Sequence, residues 1–363
     1  MMPNLNDFMN QGIKDIADTA ARFYWGDRRG QRFMLHMASA LGKSAKIRAR
    51  HEGDGTHIPP FLIASIASEC NLRCAGCYAW AAGGCGGGQA REQLTVGDWR
   101  RIFGEAADLG VSFLLLAGGE PLMRRDVIEA AAEFDRMFFP IFTNGTMLSG
   151  DYLNLFDAHR NLIPVLSIEG YAEKTDARRG AGVSRQVEEA ARRLKERGIL
   201  FGTSITVTAE NYTQVTGPAF VGALRARGCG LVFYVEYVPV ETGTEHLILD
   251  KNALRALAAR VDGLRADPVN RGMILLSFPG DEEEMGGCLA AGRGFFHINA
   301  TGGAEPCPFS PHSEMNLKDR PLVDALQSPF FARVRAISAA EAAGHRGGCT
   351  LFQAEQAVAQ ALH

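Results

Sequence analysis

Residues 61–77, FLIASIASECNLRCAGC, run an uncharged apolar stretch almost directly into three closely spaced cysteines, and that junction decides the fold. Phe61–Ala67 reads as a strand covered on both faces, because its apolar residues are continuous and do not alternate. Cys70, Cys74 and Cys77 follow with three and then two residues between them, so all three thiols sit on the loop leaving the strand. Downstream, short apolar runs alternate with amphipathic stretches. Thr95 and Asp98 open a helix to about Leu109, and Val111–Leu116 is a strand ending at Gly118-Gly119-Glu120-Pro121. Arg125–Met137 is helical, and Phe139–Thr143 is a strand stopped by Asn144-Gly145. Strands Leu162–Ile168, Leu200–Val207 and Leu231–Val238 follow, separated by helices Val183–Arg197 and Pro218–Arg227 that end at Gly198 and Gly228. Such units imply a parallel sheet with right-handed crossovers. Six are too few for an eight-fold barrel, so the expected class is α/β: a partial (β/α)6 TIM-like barrel over 58–245. A helical N-terminal extension (1–57) and a C-terminal region (246–363) flank it. Ligands gather at the C-terminal ends of such strands. Cys70, Glu120, Asn144 and Glu169 all fall there.

The 363 residues are 46% hydrophobic, enough for a sizeable core, and 38 basic against 41 acidic side chains give a net charge of -3. That balance argues against a general polyanion binder, so no nucleic-acid partner is expected. No apolar run reaches 18 residues, and Asp7 and Asp15 break any secretory h-region. Eight cysteines without a secretory signal point to metal binding in a reducing cytoplasm rather than to disulfides.

A tight loop can turn the three thiolates of Cys70, Cys74 and Cys77 toward one face of a four-iron cubane, leaving one iron without a protein ligand. A structural zinc site with Cys85 as fourth ligand is the competing reading, although such sites usually come as two short pairs. A redox dithiol at Cys74 and Cys77 leaves Cys70 unexplained. The triplet, Tyr78 after it, Gly118-Gly119-Glu120-Pro121 and Phe142-Thr143-Asn144-Gly145 together resemble the radical S-adenosylmethionine (SAM) superfamily over roughly residues 58–240. The resemblance implies an oxygen-sensitive [4Fe-4S] cluster on the three cysteines. It also implies SAM chelated at the open iron, and an electron donor such as flavodoxin or ferredoxin. It implies that Gly118, Gly119, Glu120 and Pro121 meet the methionine amino group. Thr143, Asn144, Ser167 and Glu169 would then lie near the ribose and methionine, with Tyr78 touching adenine through its backbone. Arg179, with Asp176 and Gly180, also matches the family pattern; a surface salt bridge explains these residues equally well. One departure is Gly76, where many members have an aromatic residue.

Cys288, Cys307 and Cys349 are 19 and 42 residues apart, with Gly302 between the first two and Asn316-Leu317 and a helix around Pro321–Ile337 after the second. This resembles the SPASM or shortened twitch extension of the same superfamily, which implies one auxiliary iron–sulfur cluster. Its fourth ligand would be Asp281, Glu282, His297 or His312, or a substrate; buried structural thiols are the plainer explanation. Cys85 and Cys229 are expected to be incidental.

At the end of the sixth strand, Glu236, Tyr237 and Glu241 are candidates for binding substrate or relaying a proton, with a polar barrel lining as the bland reading. Between Arg28 and Arg50 stand seven basic side chains and no acidic one, interleaved with Phe33, Met34, Met37 and Leu41. That pattern suits peripheral contact with the inner membrane face or a lipid-like substrate, or a helix packed on the barrel with a solvated cationic face. It has no strand pattern of the winged-helix peptide-recognition kind, which lowers the expectation of a ribosomal-peptide substrate. The leading function is hydrogen abstraction from an unactivated C–H bond, with an iron–sulfur electron carrier as the non-enzymatic alternative. A SAM-dependent polar methyltransferase finds no support, since no glycine-rich strand-to-helix loop stands where that fold needs one.

Overall fold

The computed structural model describes residues 5–85, 92–282, 285–342 and 349–362. The six expected strands form: β1 (Phe61–Ala67), β2 (Phe113–Gly118), β3 (Phe139–Thr143), β4 (Leu162–Ile168), β5 (Gly202–Val207) and β6 (Leu231–Glu236). They pair in parallel in sequence order. The sheet does not stop at six. β7 (Ile274–Phe278) pairs in parallel with β6, from Leu231↔Ile274 to Val235↔Phe278. At the other edge β8 (His297–Ile298) adds in parallel to β1, and β9 (Ala304–Glu305) closes a hairpin on it. These strands were hidden because β8 and β9 have two residues each, too short for any period to show.

The connecting helices cover the outside of the sheet. In Val96–Leu109 the start is set by a capping box, with Thr95 N donating to Asp98 (2.8 Å) and Asp98 N donating to Thr95 (3.2 Å). The single helix expected around 321–337 is two, Leu322–Leu326 and Pro329–Ala342. Pro329 cannot donate within a continuous helix, and Ser328 Oγ caps the second one by accepting from Phe331 N at 3.0 Å.

The extension is two helices, α1 (Leu5–Phe23) and α2 (Arg28–Gly53). Tyr24, Met34, Met37 and Leu41 pack with Phe138, Ile163, Leu200, Leu231 and Ile274, residues at the entry ends of the strands. The two helices therefore close the end of the barrel opposite the cysteines. Burying each such side chain contributes about 1.5–3 kcal/mol. The apolar face that suggested a membrane surface is thus turned mainly onto the barrel. Trp25 and Leu35 remain exposed. Among the described residues, no helix is long and apolar enough to cross a membrane.

Candidate cluster and cofactor site

The loop carrying Cys70, Cys74 and Cys77 leaves β1 and ends in a short helix, Tyr78–Ala81. It is pinned at both ends. Near Cys70, Asn144 Nδ2 donates to Asn71 Oδ1 (2.8 Å) and Asn71 Nδ2 to Thr146 Oγ1 (2.8 Å), tying the loop to the end of β3. Near Cys77, Arg178 donates to the carbonyls of Ala75 (2.9 Å) and Gly76 (3.2 Å), while Ala75 N returns a bond to Arg178 O at 3.0 Å. Gly76 N donates to Glu241 (3.0 Å). Gly76 has φ +64°, and a Cβ there would lie 2.8 Å from Tyr237 Oη and 2.9 Å from its Cε2. The aromatic ring absent at position 76 is therefore replaced in space by Tyr237, arriving from β6. Its hydroxyl is buried without a hydrogen-bond partner among the described residues.

The strand ends beside the loop are equally constrained. Gly119 N donates to Ala67 O and Glu120 N to Glu69 O, both at 2.7 Å. A Cβ on Gly119 would stand 2.0 Å from Glu69 O, so only glycine lets β2 close on β1. Glu120 is 1% exposed and accepts from Thr143 Oγ1 (2.6 Å), Asn144 N (2.8 Å) and Leu122 N (3.0 Å). Burial raises its carboxyl above the ordinary range, and those three bonds oppose the rise. Pro121 opens the 3-10 turn Pro121–Met123 that Glu120 caps. Glu169, 3% exposed, receives Arg178 Nη1 (2.8 Å) and Arg179 Nη2 (2.6 Å) on one oxygen. The surface salt bridge proposed for Asp176 and Arg179 does not form. Asp176 instead accepts from Gly182 N (2.9 Å) and Ser184 N (2.7 Å) at the start of the next helix.

These elements face one cavity of ≈ 490 Å³. Cys70, Cys74, Cys77, Tyr78, Gly118, Gly119, Glu120, Asn144, Ser167 and Arg179 line it; Pro121, Thr143, Glu169 and Glu241 do not. The latter act through neighbours, Thr143 on Glu120 and Glu169 on the arginines. Sequence reading missed Asn71 and Arg178, which hold the loop. Burial pushes the Cys70 thiol up to about 11 and raises Cys74, the latter opposed first by Arg179. Three thiols on one loop, cationic help for a thiolate at Cys74 and glycines close to the strand ends fit a cluster open to SAM. The fourth nearby thiol, Cys85, is buried and pushed up to about 12, by burial first and then by Cys77 and Cys70. Cys229 donates to Leu231 O (3.1 Å) inside the core. Beyond the cluster end the cavity wall is apolar, with Phe113, Leu115, Phe142 and Phe233, and it reaches Ile13 and Ile16 of α1.

Cys288, Cys307 and Cys349 meet in space. They line a second, small cavity with Glu236 and Glu282. Cys307 is within hydrogen-bonding reach of Cys349, which raises Cys307 and favours the thiolate at Cys349. Tyr78 packs edge-on against Phe309 (5.4 Å between ring centres), joining the two cysteine groups. The other expected ligands are occupied elsewhere. His297 bonds Ser65 (2.7 Å) and Glu305 (2.6 Å), His312 bonds Glu355 (3.0 Å), and Asp281 pairs with Arg265 (2.7 Å).

Glu236 lines both cavities, and burial, with Asp281 second, pushes its carboxyl up to about 7. A carboxyl raised from 4.5 stays protonated in the fold where the unfolded chain has ionised it. Stability is then lost as pH climbs from the unfolded to the folded value, by at most about 3 kcal/mol. Glu236→Gln should flatten that loss: between pH 5 and pH 8, urea titrations should show wild type losing stability relative to the variant. Equal pH slopes would refute the assignment.

The site is thus a cysteine triplet at the C-terminal mouth of a parallel partial barrel, with a glycine-glycine-glutamate turn beside it. Residues 65–215 match the family model described as the radical SAM superfamily. The PqqA peptide cyclase of Rhizobium meliloti (strain 1021) is 36% identical over 127 residues, 34% of this chain and 32% of the cyclase. The first curated relatives are thus matched over about a third of their length (32% and 38%). The AdoMet-dependent heme synthase of Methanosarcina barkeri is 26% identical over 295 residues, covering 73% of this chain and 81% of the synthase. Among solved structures, Streptococcus suis SuiB bound to S-adenosylmethionine superposes with TM-score 0.65 at 20% identity, over 81% of this chain and 72% of SuiB, a likeness of fold.

Proposed function

We propose that this chain binds a [4Fe-4S] cluster through Cys70, Cys74 and Cys77, cleaves SAM there, and abstracts hydrogen from an unactivated C–H bond of an apolar organic substrate. With SAM at its open iron and an electron from a donor such as flavodoxin or ferredoxin, such a cluster supplies a 5′-deoxyadenosyl radical. The observation that carries the reading is the shared cavity, in which the three thiols and the ends of β2, β3 and β4 open onto a deep apolar chamber. Arg178, Asn71 and Glu241 hold the loop; Gly118, Gly119 and Asn144 offer close backbone and polar contact to the methionine part; Tyr237 offers its ring and free hydroxyl near Gly76. The phenylalanine-rich wall excludes water from the reacting carbon. Cys288, Cys307 and Cys349 hold the auxiliary cluster, which suits net oxidation or bond formation. Anaerobic incubation with SAM and dithionite should yield 5′-deoxyadenosine. None at all, even uncoupled from substrate, leaves only the iron–sulfur carrier.

A second reading is peripheral contact with an anionic membrane surface. Exposed Leu35 shares a face of α2 with Arg28 and Arg32, and exposed Trp25 stands before the helix. Failure to sediment with anionic vesicles at low salt removes it. Peptide modification, the activity named for the cyclase, would require the chamber to admit a side chain from a peptide lying across its mouth.

A further inference from the structure

We propose that Glu282 is the fourth protein ligand of the auxiliary cluster, so that the site is three thiolates and one carboxylate; this rests on the auxiliary-cluster reading above. Glu282 ends the 3-10 turn Gly280–Glu282 that follows β7. Its N–H donates to Pro279 O (2.7 Å), and its carbonyl accepts from Met285 N (3.0 Å) and Gly287 N (2.9 Å). The backbone of this acid is therefore fixed to the segment that delivers Cys288. The side chain is 7% exposed and lines the small cavity with Cys288, Cys307 and Cys349. Among the described residues no lysine or arginine forms an ion pair with it. Arg293, whose charge reaches it, spends its N–H groups on the carbonyls of Met285, Gly287 (2.6 Å) and Cys288 (3.1 Å). A carboxylate buried without a cation is costly, and a metal centre is the partner that removes the cost. Glu236, the other acid on that cavity, stands near Cys349 as Glu282 does, but Cys288 has Glu282 as its first charged neighbour, on the same backbone-fixed segment. Both acids line both cavities, and it is the shared segment with Cys288 that assigns Glu282 to the cluster.

The test uses full-length protein reconstituted anaerobically, with iron and sulfide counted and both clusters followed by electron paramagnetic resonance and redox titration. Wild type should hold about eight irons per chain as two four-iron clusters. The SAM cluster is identified by its response to added SAM. Glu282→Cys should keep the iron and lower the midpoint potential of the second cluster, because a thiolate in place of a harder ligand lowers potentials. Glu282→Gln should change the second signal, and Glu236→Gln should leave it as in wild type. Unchanged spectra and potentials in both Glu282 variants, or a changed second signal in Glu236→Gln, overturn the ligand assignment. About four irons in wild type, unaltered by Cys288→Ala, would instead remove the auxiliary cluster itself.

Discussion

Cys74→Ala protein, reconstituted anaerobically, is expected to lose about four irons per chain and at least about 10³-fold of its 5′-deoxyadenosine formation, which removing the reacting centre from an enzyme readily costs. Cys74 sits mid-loop, and its flanks are held independently of it by Asn71 on one side and Arg178 on the other. The fold should therefore survive, with an unchanged far-ultraviolet circular dichroism spectrum. Two companions make the result diagnostic. Cys229→Ala removes a thiol bonded only within the core and should keep both iron and activity. Cys85→Ala should also keep the iron, whereas in the zinc alternative it would remove a ligand and release metal. Persistent cleavage of SAM by Cys74→Ala would exclude the three-thiolate site.

Glu169→Ala should have the second-largest effect, through stability as well as rate. The Glu169 carboxylate, 4% exposed, neutralises two guanidiniums that are themselves 20% and 12% exposed. Removing one member of a buried charge group leaves the others unpaired, at a cost of about 3–5 kcal/mol. Arg178 is also the clamp on Ala75 and Gly76, so the cysteine loop should loosen in the same variant. A fall of this size in urea-unfolding free energy, together with a weaker SAM-dependent change in the cluster spectrum, is expected. A variant within about 1 kcal/mol of wild type, the range of exposed salt bridges, would show that the cluster of charges is solvated after all.

Most of the barrel and the core of the site were legible in the chain. Strand ends and helix caps are local decisions: Thr95 and Asp98 start a helix wherever they stand, and Asn144-Gly145 stops a strand. The cysteine triplet was legible because its chemistry depends on spacing along one loop. Glu169 and Arg179 were both singled out, but their pairing was not, since it depends on how the helix Ala172–Arg179 turns back over the end of β4. Asn71 and Arg178 passed unnoticed because their work is to hydrogen-bond partners about 73 to 103 positions away in sequence. β8 and β9 were invisible for lack of length, and β7 because it follows a long helix in what reads as a separate segment.

By itself, then, the sequence determined that a parallel sheet would carry three thiols at its C-terminal mouth, because apolar continuity, turn residues and cysteine spacing are properties of neighbouring residues. Only the tertiary structure decided which distant groups meet. Sheet pairing of β7 with β6 and of β8 with β1 brings the segments around Glu282, Cys288 and Cys307 to the barrel, and the C-terminal segment sets Cys349 beside them. The Gly76 position shows the same division. A missing side chain is plain from the sequence, but the ring of Tyr237 that fills its place comes from 161 residues away, and only chain folding can set the two in contact.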